Sequence, residues 1–287
     1  MSFMKTTILS ALFLLAGCAL SPAQVLPAPA ADAPPIALDL PAALEVTRIA
    51  HASVLVSLGG PLVLTDPWFS EMSGYHHGEP LALSVTQLPK LDAVVVSHGH
   101  YDHFDIETFA AYADKAVPMI VCKGIGEKAR AYGFTAVTEL SAGETASVGA
   151  LTITAMPGAH GMDEITFLLE ANGLKVFFGG DSLLTPELKE AAKKVAPVDL
   201  ALPAVNGLRA MGSQKVMNAE EAGELVGLLG ARVAVPTHYT FKGSAFTDTF
   251  ILGYDGTPER FVAAAQKASP QTQVRVLAPG ERLHVGP

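Results

Sequence analysis

Cysteine is nearly absent: the 287-residue chain holds two, Cys18 and Cys122. One pairing at most is available, so a disulfide framework is excluded as the source of stability. Basic residues are also few, with 19 Lys and Arg against 28 Asp and Glu and a net charge of −9. That balance disfavours a nucleic-acid partner, whose phosphate backbone wants a basic face. A long hydrophobic run is missing too, since the apolar stretch from Ile8 to Ala16 is too short for a comfortable membrane span. What remains is a chain that is 49% hydrophobic. About 245 of its residues are foldable, enough for one substantial buried core.

The N-terminus reads as an address. Lys5 precedes the short apolar run, which ends in Leu15-Ala16-Gly17-Cys18, the pattern of a secretory signal with a lipidation site. Residues 1–17 are expected to be a lipoprotein signal peptide, with Cys18 lipidated as the first mature residue. Residues 18–41, rich in Ala and Pro, form an expected tether, because such composition buries no core. The expected location is the bacterial cell envelope, anchored by lipid to a membrane and facing the periplasm. Ala19 after the cysteine favours the outer membrane over the inner. Acylation of Cys18 leaves Cys122 as a lone thiol, expected to be a small core residue after the apolar Pro118 to Val121.

Residues 42–287 carry the chemistry. The apolar run from Ala93 to Val96 ends in Ser97-His98-Gly99-His100-Tyr101-Asp102-His103. Alternate residues of an extended segment share a face, so His98 and His100 can converge on one ion. Asp102 and His103 follow the turn and can point at a second. Ligand-type residues recur at the ends of later apolar strands: His160, Asp181 after Gly179-Gly180, and His238 after Pro236-Thr237. Loops at strand ends are where a rigid scaffold aims side chains.

This pattern resembles the metallo-β-lactamase superfamily, whose signature is H-x-H-x-D-H followed by a separate His, Asp and His. Ile49-Ala50-His51-Ala52-Ser53 and Leu64-Thr65-Asp66-Pro67-Trp68 resemble one branch of it, which includes ascorbate-6-phosphate lactonase and the N-acyl-phosphatidylethanolamine-hydrolysing phospholipase D. Met217 to Ala222 and Pro236-Thr237-His238-Tyr239 resemble that branch too, and the likeness spans about residues 44–285. It implies an α/β fold, the four-layer αββα sandwich. It also implies two metal ions, one held by His98, His100 and His160 and the other by Asp102, His103 and His238, with Asp181 bridging. Zinc suits so many imidazoles, while the carboxylates leave manganese or iron open.

The implied activity is a metal-dependent hydrolase in which a metal-bound hydroxide cleaves an ester, lactone or phosphodiester bond. A phospholipase D-like reaction in the envelope is one form of it. The expected partners are a small-molecule or lipid substrate and the membrane through Cys18. Asp102 and Asp181 are the catalytic carboxylates, Asp102 with a further proton-shuttling role open to it. The alternative is a lipid-anchored, non-catalytic metal-binding protein.

Other residues are candidates of a second kind. Asp66 can orient a ligand imidazole or simply serve a turn. Asn206, Arg209 and Tyr239 are candidates to face substrate, with Arg209 the natural partner of an anion or else a surface charge. His51 is expected to tie the first strands together, His76 and His77 to sit in a solvated loop, and His284 to be structural. Asp105 is the expected N-cap of a helix over 105–112. Strands are expected at 44–50, 53–58, 62–65, 92–96, 119–122, 199–202, 232–235, 274–277 and 282–285, with others between 122 and 178. Helices are expected near 126–132, 186–194, 218–229 and 258–267.

Overall fold

A computed structural model describes residues 44–286, together with the backbone of the two-residue strand Gln24–Val25 paired to Ser70–Glu71. The expected signal peptide, Cys18 and nearly all of the tether lie outside the described residues.

Two seven-stranded sheets form the body. The first runs in the order Arg282–Val285, Leu44–Ala50, Ser53–Leu58, Leu62–Thr65, Ala93–Val96, Met119–Cys122, Val137–Leu140. The second runs Gln273–Val274, Val233–Ala234, Leu200–Leu202, Leu174–Phe178, Ile165–Ala171, Leu151–Pro157, Thr145–Val148. Each sheet joins antiparallel hairpin strands to a parallel half. Hairpin strands need only tight turns, whereas parallel neighbours need crossovers, and these supply helices such as Pro186–Val195 and Ala219–Leu228.

The layering follows from side-chain alternation. Ala93 and Val95 face the core between the sheets, whereas Val94 and Val96 pack outward with Phe104, Ile106 and Phe109. In the second sheet Val176 and Phe178 point inward, and Phe177 points out against Leu188, Leu225 and Phe261. Helices therefore cover both outer faces, giving the expected αββα sandwich. The capping signals hold at atomic level. Asp105 accepts from Thr108 N at the start of Ile106–Phe109, and Asn218 with Glu221 forms a capping box.

Several elements differ from the sequence expectation. The helix after Asp105 is one turn, and the strand expected at 274–277 is Gln273–Val274. A small sheet of Arg209–Ala210, Ser213–Gln214 and Leu252–Gly253, with the short helix Ala245–Phe250, carries no expectation at all. Two-residue strands are too short to show a period.

Candidate metal centre

The strands Leu44–Ala50, Leu62–Thr65, Ala93–Val96, Leu151–Pro157, Leu174–Phe178 and Val233–Ala234 all end near one edge of the sandwich, and the loops after them carry His51, Asp66, His98 to His103, His160, Asp181 and His238. Residues far apart in sequence thereby become neighbours. The imidazole nitrogens of His98, His100 and His160 lie within 4.8 Å of one another, and so do the ligand atoms of His51, Asp102, His103 and His238.

In the first group, His98 Nε2 and His160 Nε2 stand 3.0 and 3.1 Å from His100 Nδ1. The opposite nitrogens are engaged elsewhere. His160 Nδ1 donates to the Lys215 carbonyl at 2.8 Å, which leaves the Nε2 lone pair facing the group. Ser97 Oγ donates to Asp66 Oδ2 at 2.6 Å and so accepts from His98 Nδ1 at 3.0 Å. Burial, reinforced by the neighbouring His103, holds the His98 pKa well below the ordinary imidazole range, and burial lowers His100 as well. Neutral imidazole is the form that binds a cation.

In the second group, Asp66 Oδ2 accepts from His103 Nδ1 at 2.6 Å, again directing Nε2 inward. Asp66 is wholly buried, and its other oxygen accepts from Ser97 N at 2.7 Å. It thus orients one imidazole in each group, His103 directly and His98 through Ser97. Burial raises the Asp66 pKa, opposed by the His103 charge and the Ser97 donors. For Asp102 and Asp181 the balance is reversed. Burial opposes their charge, but His103 and the other imidazoles outweigh it and hold both well below the usual carboxylate range. Burial likewise disfavours charge on His103, yet Asp181, Asp102 and Asp66 raise its pKa well above the ordinary value.

Asp181 joins the two groups. Its Oδ2 lies 2.9 Å from His238 Nε2 and 3.6 Å from His160 Nε2, while Oδ1 lies 3.2 Å from His103 Nε2. These approaches are not aligned as hydrogen bonds: His103 Nε2, His238 Nε2, both His51 nitrogens and Asp181 Oδ1 are buried and unpartnered. Such atoms are costly unless something completes them. Converging imidazoles and carboxylates with inward lone pairs fit divalent cations, and the donor set suits zinc, manganese or iron.

The seven expected ligands therefore lie in one connected cluster, with His100, Asp102, His160 and Asp181 on the cavity wall. His51 does not serve as a strand tie through its side chain. Its backbone sits at φ 51° beside a bulge between Arg48 and Ala50, and its ring lies within 3.5 Å of Asp102 and tilted against His238 with ring centroids 4.1 Å apart. His77 is not solvated either, being fully buried and stacked 3.7 Å from Trp68. His76 is partly exposed beside Glu71, and His284 is exposed beside Glu45.

The remaining candidates lie off the cavity wall. Arg209 donates to Gly212 O within its hairpin, and its neighbours Leu208 and Ala210 line the cavity instead. Tyr239 donates to Leu277 O and packs under Arg48. Asn206 is buried and accepts from Leu208 N, bracing that loop. The cation on the wall is Lys215, which sequence reasoning missed for want of any motif.

Glu164 was missed as well. Its Oε1 accepts from Asp181 N at 2.7 Å, and burial with the nearby Asp181 charge pushes its carboxyl well above the ordinary range. Gly180, at φ 51°, passes so close that a Cβ there would meet Glu164 Oε1 and Ser97 Cβ at 2.7 Å. The cavity over the centre measures about 460 Å³ and is open to His100, Asp102, His160 and Asp181, with Phe241 and Leu252 as apolar walls. Cys122 lies outside that cavity and its thiol is pushed up to about 11 by burial, which disqualifies it as a nucleophile.

A model of the β-lactamase superfamily domain matches residues 62–239. A UPF0173 metal-dependent hydrolase of Anaeromyxobacter dehalogenans is 30% identical over 261 residues, covering 83% of this chain and 85% of its own. Among solved structures, Igni18, a metallo hydrolase from Ignicoccus hospitalis, matches with TM-score 0.64 and 23% identity over 84% of this chain and 97% of its own. CmlA, a diiron β-hydroxylase from Streptomyces venezuelae, matches with TM-score 0.66 and 21% identity over 85% of this chain and 54% of its own. At such identities these two structures share the fold, and their differing chemistries show that the fold alone does not choose a reaction.

Proposed function

Because the chain belongs to the metallo-β-lactamase superfamily, we propose that it is a metal-dependent hydrolase whose two ligand groups each hold one cation. His98, His100 and His160 would hold the first; Asp102, His103, His238 and the newly found His51 the second. The observation that carries this is Asp181, whose Oδ2 reaches toward His238 in one group and His160 in the other. Bound there, divalent cations supply Lewis acidity and make water a usable nucleophile near neutral pH. We take zinc as the native ion.

The chain's own residues do the rest. Asp66 and Ser97 fix the imidazoles, and Glu164 holds the Asp181 backbone. Phe241 and Leu252 restrict water around the reacting group, and Lys215 receives an anionic portion of the substrate. A cavity of about 460 Å³ suits a small molecule or the head of a larger one. The scissile bond is an ester, lactone or phosphodiester.

On the likeness at Thr65-Asp66-Pro67-Trp68 and Pro236-Thr237-His238-Tyr239, we set the chain beside the lactonase and phospholipase D branch. On Leu15-Ala16-Gly17-Cys18, we set it in the bacterial envelope, lipid-anchored and facing the periplasm.

The test is a hydrolysis screen of phosphodiesters, lactones, thioesters and β-lactams, with bound metal counted by elemental analysis. The expected result is turnover of one class that disappears on complete chelation and returns with zinc. Turnover unchanged by verified chelation would overturn the reading. Failure on every class with two ions bound would favour a binding role instead.

A further inference from the structure

Large apolar side chains are distributed unevenly over the surface. Seven are exposed among the described residues, and five of these belong to segments that border the cavity: Met162, Met211, Phe246, Phe250 and Tyr254. Met211 is 86% exposed, Phe250 73% and Phe246 65%. Phe246 and Phe250 lie one turn apart on the helix Ala245–Phe250, with ring centroids 5.2 Å apart, and this helix buries no residue. Between them Thr247 lines the cavity. Met211 sits at the hairpin tip after the cavity-lining Ala210, and its N donates to Ile251 O beside the cavity-lining Leu252. Exposed aromatic and methionine side chains gathered in this way mark a surface meant to be covered.

Basic groups stand at this rim, although the exposed Asp163 follows Met162. The chain carries −9, yet Lys215 and Lys242 stand by the cavity with no ion-pair partner among the described residues. Lys242 pairs through its backbone with His76, in the loop whose Ser73, Gly74 and Tyr75 line the cavity. The one acid of the short helix, Asp248, is turned inward to accept from Gly243 N and Tyr254 Oη. Apolar side chains flanked by unpaired lysines match a bilayer surface with anionic headgroups. Gln24–Val25 pairs with Ser70–Glu71, just before the cavity-lining Ser73 and Gly74. At the ~3.1 Å per residue of an extended chain, the stretch from Cys18 to Gln24 reaches roughly 20 Å, so a lipid-anchored Cys18 would hold this side of the molecule near the membrane.

We infer that the rim formed by Met211, Phe246 and Phe250 docks on a lipid bilayer, bringing the cavity mouth against the layer from which an acyl-bearing substrate is drawn. This deepens the hydrolase reading and rests on it for the identity of the cavity.

The experiment uses the full, metal-loaded chain with vesicles of phosphatidylethanolamine and phosphatidylglycerol carrying brominated acyl chains. Trp68, the only tryptophan, is fully buried and gives a constant background. Phe250→Trp places an indole on the rim. Tyr132→Trp places one at the C-cap of the helix Gly126–Ala131, a position that does not line the cavity. Bromine quenches by contact inside the layer, so tethering at Cys18 alone does not supply the signal.

The expected result is quenching several-fold stronger at position 250 than at 132, reduced toward the level at 132 when Phe246→Asp is added. Equal quenching at both positions would overturn the inference. An emission shift that follows protein concentration without vesicles would overturn it too, assigning the face to a second copy. Neither readout needs turnover. Loss of the docking signal with hydrolysis of soluble esters intact removes this inference alone, and docking without any hydrolysis removes the chemistry alone.

Discussion

The two ligand groups are both built around histidines, but only one of them includes a carboxylate, and they hold charge differently. In the group of His98, His100 and His160, the outward nitrogens of His98 and His160 are tied to Ser97 and the Lys215 carbonyl. Burial holds His98 and His100 neutral. In the other group, burial again disfavours charge, but Asp181 outweighs it and raises both His103 and His238. Without ions, protons there balance the buried carboxylates. His98 and His100 are therefore held ready for a cation, whereas His103 and His238 give up protons to one. The difference comes from where the carboxylates fall, not from the histidines.

The heaviest way to break this contrast is Asp181→Ala, because that residue faces both groups. Activity is expected to fall by roughly three orders of magnitude, the ~4 kcal/mol scale of removing one partner from a buried charge set. Steady-state kinetics and ion content should decline together. His51→Ala sharpens the contrast instead. It removes a donor from the second group only, so ion affinity there should drop by about 10- to 100-fold while the first group keeps its ion. Chelator competition followed by elemental analysis checks this, and equal weakening of both ions would erase the distinction.

The smallest effect is on the pH dependence of the metal-free chain. His98, His100 and His51 are depressed below the ordinary imidazole value of 6.5, chiefly by burial, so the unfolded chain binds more protons than the native one as pH falls below 6.5. Stability is lost on that side. His103 and His238 are raised, so their contribution is complete below 6.5 and is lost as pH rises through their folded values. Thermal melts should show a maximum near 6.5. Added zinc should flatten the alkaline limb and steepen the acid one.

Much of this was legible in the sequence because rigid strands announce themselves and the ligand loops follow directly on them. Leu44–Ala50, Ser53–Leu58 and Leu62–Thr65 have the bounds that their apolar runs predict. His51 was not legible as a donor, since its direction depends on a left-handed backbone at a bulge and its nearest imidazole is 187 positions downstream. Glu164 was hidden for a similar reason. Its partner Asp181 N lies across two strands, and a lone glutamate before an apolar run looks like a solvated end. Arg209 drew attention as the obvious cation, yet its hairpin turns it aside and brings Lys215 to the wall.

Both groups draw donors from each half of the sandwich, and that has a mechanical consequence for a protein with a single buried thiol among its described residues. An ion gripped by His100 and His160 would act as a cross-link across 60 residues of chain. Treated like a covalent bridge of that loop length, it would restrict the unfolded ensemble by ~4 kcal/mol. Coordination would then fasten the two halves where disulfides do not.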